Sequence, residues 1–151
     1  MKFDYLRGDY MSAKEYLMKI RTIDMLIDTK LEQVKMLRYR LTSIGSPIVG
    51  DKVQCSPDPD KFTNTIAKII ELEEEINRDI DRLIDYKREA RGIIEQMTED
   101  IEKIILYKHY FEGKSFEQIA VDCNYSWRWI ISLHGSALKN FEKVQRQHIT
   151  S

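Results

Sequence analysis

The chain is short of the residues that interrupt helices. Among 151 residues there are six glycines and three prolines. With 32% charged and 42% apolar residues, that scarcity points to a soluble, helix-rich protein. Cysteine is scarce as well. Cys55 and Cys123 lie far apart without a CxxC or Cys/His spacing, so they read as reduced thiols rather than as ligands or a disulfide framework. The formal net charge is −1, which excludes a global positive field; any affinity for nucleic acid has to come from a local patch. No apolar run approaches the roughly 20 residues of a membrane-crossing helix. The N-terminal MKFDYLRGDY has no apolar signal-peptide core, and a cytoplasmic location is expected.

Catalytic signatures are missing too. There is no Gly-rich phosphate loop, nucleophile elbow or paired-acid motif. His109, His134 and His148 have no partners at metal-ligand spacing, and His134 is expected at the surface or beside a phosphate. We therefore expect no enzyme, no catalytic residues, no metal and no cofactor.

What is present is helical periodicity. Ser12-Ala13-Lys14-Glu15 fits a capping box, with Ser12 capping and Glu15 reaching back. Tyr16, Ile20, Ile23, Ile27, Leu31, Val34, Leu37, Leu41 and Ile44 then recur in steps of three and four, one dry face of a long helix. Gly45, Pro47 and Gly50 end it, and residues 45–57 read as a linker. Asp58-Pro59 is a second start signal: an N-cap acid, then a proline whose missing N–H costs nothing in the first turn. From Phe62 to Ile104 a heptad seam follows, with Ile66, Ile69, Ile76, Ile80, Leu83 and Ile94 as its oligomerising core and only Glu73 and Lys87 polar on it. Two helices of similar length joined by a short linker predict an antiparallel hairpin or coiled coil. Glu73 is expected near Lys30 or Lys35. The apolar stripe is wider than one partner helix covers, which favours a homodimer or larger assembly. The basic runs Lys35, Arg38, Arg40 and Lys87, Arg88, Arg91 read as solvated helix faces.

The last segment changes character. MTEDIEKIILYKHYFEG reads as a helix ending at Gly113, either continuing the coiled coil or restarting at Thr98. Ser115-Phe116-Glu117-Gln118 is another capping box, Cys123-Asn124-Tyr125 a turn, and Ser126 the cap of a final helix. Ile130, Leu133, Ala137, Leu138 and Phe141 form the inner face of that helix. This makes the fold class all-α: a helical hairpin over 1–97 and a helix-turn-helix over 98–151.

The string ILYKHYFEGKSFEQIAVDCNYSWRWIISLHGSALKNF resembles the promoter-reading C-terminal domain of sigma-70-type factors. The likeness rests on aromatic-Phe-Glu-Gly-x-Ser, Glu-Gln-Ile-Ala, Tyr-Ser and Ala137-Leu138, and covers about a third of the chain. The layout is also similar to small phage and prophage proteins of Gram-positive bacteria, the RinA and ArpU type of late-gene regulator. The resemblance implies a small DNA-binding activator at a promoter, acting beside RNA polymerase, in a bacterial host cell. Where the family usually offers Arg, Glu, Lys or Gln, this chain has Trp127, Ile131 and Ser132.

In a helix-turn-helix the first turns of the second helix meet base edges. Those residues are Trp127, Arg128, Ile131 and Ser132. Arg128 has the chemistry of a bidentate guanine contact, and Trp127 and Ile131 that of packing on thymine methyl groups. Phosphates fall to the helix N-termini at Ser115 and Ser126 and to Lys114, Lys139, Lys143 and Arg146. Residues 126–148 carry four Lys/Arg against one acid, Glu142. Trp129 is expected to be packed away from the groove. Double-stranded DNA is thus the expected partner, with a dimer presenting two such helices to a repeated or palindromic site. Two other classes remain: a small-terminase-like packaging protein, which would form a larger ring, and a protein-binding factor that uses the sigma-like fold to engage RNA polymerase or a host protein.

Overall fold

A computed structural model describes residues 11–44 and 58–150. The linker expected over 45–57, and Cys55 with it, lie outside the described residues. These residues are all-helical: α1 (Ala13–Ile44), α2 (Pro59–Ile94), α3 (Asp100–Leu106), a π-helical turn (Tyr107–Phe111), α4 (Phe116–Cys123) and α5 (Trp127–Thr150), with no strand among them. None of these helices is long and apolar enough to cross a membrane. Local chemistry starts them as expected. Ser12 Oγ accepts from the Glu15 backbone N–H while Glu15 accepts from the Ser12 N–H. Asp58 accepts from the Asp60 N–H. Each bond satisfies a donor that the first turn leaves without an intrahelical partner.

The described residues form two compact units, one of those within 23–83 and one of those before 23 together with those after 83. The first turns of α1 and the last of α2 belong with α3 to α5.

In the 23–83 unit the buried apolar residues are Ile23, Ile27 and Val34 on α1 and Ile69, Leu72, Ile76 and Leu83 on α2. Lys30 binds Asp79 at 2.6 Å and Glu75 at 3.1 Å, and Arg38 pairs with Glu73. Partners on α2 move backward as α1 advances, so the two segments run antiparallel. The expected placement of Glu73 near Lys30 or Lys35 needs correction. Lys30 lies eight residues, about 12 Å of helix, before Arg38, so the register brings it to Glu75 and Asp79. Lys35 is exposed and faces Glu32 on its own helix at 3.8 Å.

Asp79 is buried, and a carboxylate out of water needs compensation. Lys30 supplies it, with Arg82 at 3.4 Å as a second cation. The hydrogen bond from Lys30 holds the Asp79 carboxyl below its ordinary range, and Asp79 in turn raises Lys30.

In the other unit α2 stops at Ile94. Gln96 and Met97 turn their N–H groups back to Ile93 and Ile94, and Glu99 is extended (φ −92°, ψ 111°). The heptad spacing therefore does not run on as one helix through Met97, Ile101 and Ile104; α3 restarts the chain. The π turn closes with Glu112 N–H to the Tyr107 carbonyl at 3.0 Å. Gly113 follows at φ +70°, a left-handed position that side chains with a Cβ resist. The core joins Tyr16, Leu17 and Ile20 of α1, Ala90 and Ile94 of α2, Ile105 and Leu106 of α3, and Ile130, Ala137 and Phe141 of α5. The Tyr16 and Phe141 rings stack at 6.0 Å.

Candidate nucleic-acid interface

The interface candidate is built by α4, its turn and α5. Ser115 caps α4 in a complete box: its Oγ accepts from the Gln118 N–H, and the Gln118 side chain accepts from the Ser115 N–H. Asn124 ends α4 in the left-handed region (φ 56°, ψ 38°), a conformation that asparagine tolerates better than most residues. Its N–H reaches the Val121 carbonyl, and that of Tyr125 the Ala120 carbonyl. Ser126 Oγ then accepts from the Trp129 N–H to start α5. Beneath the turn, Ile105, Ile119, Ala120 and Ile130 form a core with Ile101, Phe116, Cys123 and Leu133 against it.

That core sets the face α5 presents outward. Successive residues advance about 100° around a helix. With Ile130, Ala137 and Phe141 buried, Arg128, Ser132, Gly135, Lys139, Lys143 and Arg146 point the other way, and all are exposed. Trp127 and Ile131 flank this row on one side. Trp129 flanks it on the other and is 50% exposed, the same as Trp127. The expectation that Trp129 packs inside is thereby corrected. The reason is angular: Trp129 sits about 100° from Ile130, and Leu133 occupies the inner edge on that side. Tyr125 and Val121, both exposed, add to the apolar surface around the turn.

The phosphate candidates differ in what already holds them. Lys139 and Lys143 line a groove of about 330 Å3 with Glu142, Arg146 and Gln147. Arg146 is 3.1 Å from Glu142, one helical turn back. Lys114 is tied to Asp122 at 2.7 Å and Glu112 at 3.5 Å, and Lys108 shares the same Asp122. The Asp122 hydrogen bond raises Lys114, and the Lys114 hydrogen bond lowers Asp122. Of the expected oligomer seam, Ile69, Ile76, Leu83 and Ile94 are buried within the single chain, Ile66 is half-buried and Ile80 is exposed.

His134 is half-buried rather than openly exposed. It packs among His109, Tyr110 and Phe116, with ring centroids 4.7 Å from Phe116 and 5.5 Å from His109. The Tyr110 hydroxyl lies 2.8 Å from its Nε2. Burial, reinforced by the charges of His109 and Lys14, pushes His134 down to about 4. Burial also lowers His109, whose ring stacks on Phe116 at 4.2 Å beside Arg21, and raises Tyr110 to about 12. The sequence offered one signal for this nest, namely aromatic and imidazole side chains at 109, 110, 116 and 134. Periodicity alone does not show that they converge.

A second feature was invisible in the sequence. Glu102 of α3 is buried, accepting from Ser136 Oγ and Asn140 Nδ2, each at 2.7 Å. These bonds clamp α5 to α3 and fix the rotation of α5, and so the direction of Arg128 and Ser132.

Compared with family models, curated proteins and solved structures, the chain finds no match.

Proposed function

We propose that α4, the turn and α5 form a sigma-like helix-turn-helix that reads double-stranded DNA, in a dimeric transcriptional regulator of phage or mobile-element genes built on a helical hairpin. The observation that carries this reading is the outward row on α5. Arg128 and Ser132 lie in its first turns, and Lys139, Lys143 and Arg146 follow on the same face, opposite Ile130, Ala137 and Phe141. Side chains in the first turns are those a major groove receives, and Arg128 suits the O6 and N7 acceptors of guanine. Lys139 and Lys143 lie about 17 and 23 Å further along the helix axis, where they serve phosphates rather than bases. Ser126, at the helix N-terminus, brings backbone N–H groups to the phosphate beside the entry point. Lys114 is the weakest phosphate candidate, since two acids already hold it.

The test is selection of bound fragments from random and phage-genome DNA. This reading predicts an enriched motif, and Arg128→Ala relaxes one position of it at a cost of about 1–3 kcal/mol. An Arg128→Ala protein with unchanged site preference speaks against Arg128 as a base reader; no enrichment with folded protein speaks against specific DNA reading as a whole.

One observation favours a second reading. Val121, at 77% exposure, together with Tyr125, Trp127 and Trp129, forms the aromatic, apolar kind of surface that anchors protein partners. On that reading the same turn engages RNA polymerase or a host protein, and binding shows no steep dependence on salt.

A further inference from the structure

The first two turns of α5 have an ordered cross-section. With Ile130 pointing inward, Trp127, Ile131, Arg128, Ser132 and Trp129 stand at roughly 60°, 100°, 160°, 200° and 260° around the helix. All five are exposed. A polar crest of Arg128 and Ser132 therefore runs between two apolar flanks, Trp127 with Ile131 on one side and Trp129 on the other. Hydrogen bonds at two points along the helix fix these directions. Ser126 Oγ accepts from the Trp129 N–H at 3.2 Å, and Ser136 Oγ and Asn140 Nδ2 donate to Glu102 at 2.7 Å.

Resting on the reading of α5 as the helix that contacts DNA, we infer that its ligand is a guanine bracketed by C5-methylated pyrimidines. Arg128 takes the guanine, and Trp127, Ile131 and Trp129 take the methyl groups. The major groove is about 12 Å wide, which matches a helix with its side chains. The crest of a helix lying in it meets the middle of the base pairs, while the flanks meet their two edges. A thymine methyl is the outermost group on its own side of the pair, and the base edges offer no other apolar group there. An apolar flank set against any other edge group covers a donor or acceptor without pairing it, which costs free energy. Flanks on both sides of the crest call for methyl groups on both strands. Thymine and 5-methylcytosine both carry this group.

The test is selection from random duplex pools, one amplified with thymidine and one with deoxyuridine in its place. A third pool combines deoxyuridine with 5-methyldeoxycytidine. The winning thymidine duplex is then titrated beside its deoxyuridine copy. Each contacted methyl removed should weaken binding about fourfold, so methyl groups on both strands give a loss of roughly tenfold or more. Enrichment in the third pool but not the second extends the methyl reading to 5-methylcytosine; enrichment with thymidine alone assigns it to thymine. Trp127→Ala, Ile131→Ala and Trp129→Ala should each shrink the thymidine-to-deoxyuridine ratio with helicity by circular dichroism unchanged. Arg128→Ala should weaken both duplexes and keep the ratio. A wild-type ratio near one, or a ratio that survives all three apolar substitutions, would overturn the inference and leave DNA binding intact. No enrichment from any pool by folded protein would overturn the proposed function and this inference together.

Discussion

Two aromatic groups lie within the same compact unit and meet water differently. His109, Tyr110, Phe116 and His134 pack ring against ring, His109 stacked on Phe116 and edge-on to Tyr110, with Tyr110 and His134 joined by a hydrogen bond. Trp127 and Trp129, opening α5, leave half of their surface uncovered. Aromatic rings are among the largest apolar groups a chain can bury. The fold packs one set and leaves the other outward, and the row Arg128, Ser132, Lys139 and Lys143 lies between the two tryptophans. The difference teaches that aromatic character alone does not mark a core: position relative to Ile130 and Phe141 does.

Substitutions can break or sharpen that contrast. The largest effect is expected at Ile130→Ala, which empties a fully buried site between Ile105 and Ile119 and should cost about 2–5 kcal/mol in urea unfolding. A loss under 1 kcal/mol would mean that α5 is not anchored there. Glu102→Ala leaves the Ser136 and Asn140 donors without their acceptor and should cost about 1–3 kcal/mol. It should also weaken any ligand of α5 by letting the helix rotate. Unchanged stability would remove Glu102 as the clamp.

Next is pH. The folded His134 pKa of about 4 lies below its ordinary 6.5, so between those values the unfolded chain binds the proton and the folded chain does not. Stability should therefore fall as pH drops from 6.5 towards 4, by at most about 1.4 kcal/mol per pH unit from this group. His109, also lowered, adds to the slope. His134→Gln should flatten part of it in unfolding curves at pH 7, 6, 5 and 4; an identical slope would place the titration elsewhere. The smallest effect is expected at Trp127→Ala and Trp129→Ala, each within about 0.5 kcal/mol of wild type, as for surface positions. A loss of several kcal/mol at either would turn that tryptophan into scaffold.

Local signals were the legible part of this fold. The boxes at Ser12/Glu15 and Ser115/Gln118, the Asp58 and Ser126 caps and the left-handed Asn124 all act within a few residues, and the chain states them directly. So does the inner face of Ile130, Ala137 and Phe141. What depended on distant partners was not legible. The Arg38 to Glu73 pairing follows from the register of two helices, which a heptad on one of them does not determine. Glu102 looks like any surface acid until α5 brings Ser136 and Asn140 to it, and His134 looks solvated until Phe116 and Tyr110 close over it. Trp129 differs from expectation for a related reason: a large apolar side chain suggests burial, but Leu133 fills the inner edge on its side of α5 and leaves Trp129 exposed.

If α5 reads DNA as proposed, its outward face is the contact, and both tryptophans of the chain flank that face. The most direct measurement is a tryptophan-fluorescence titration with a selected duplex at two salt concentrations, repeated with Lys139→Ala and Lys143→Ala. DNA contact through this face predicts a change in tryptophan emission on binding, weaker affinity at the higher salt, and a salt slope reduced by about one for each lysine removed. Folded protein whose emission and affinity ignore both the duplex and the salt would contradict it.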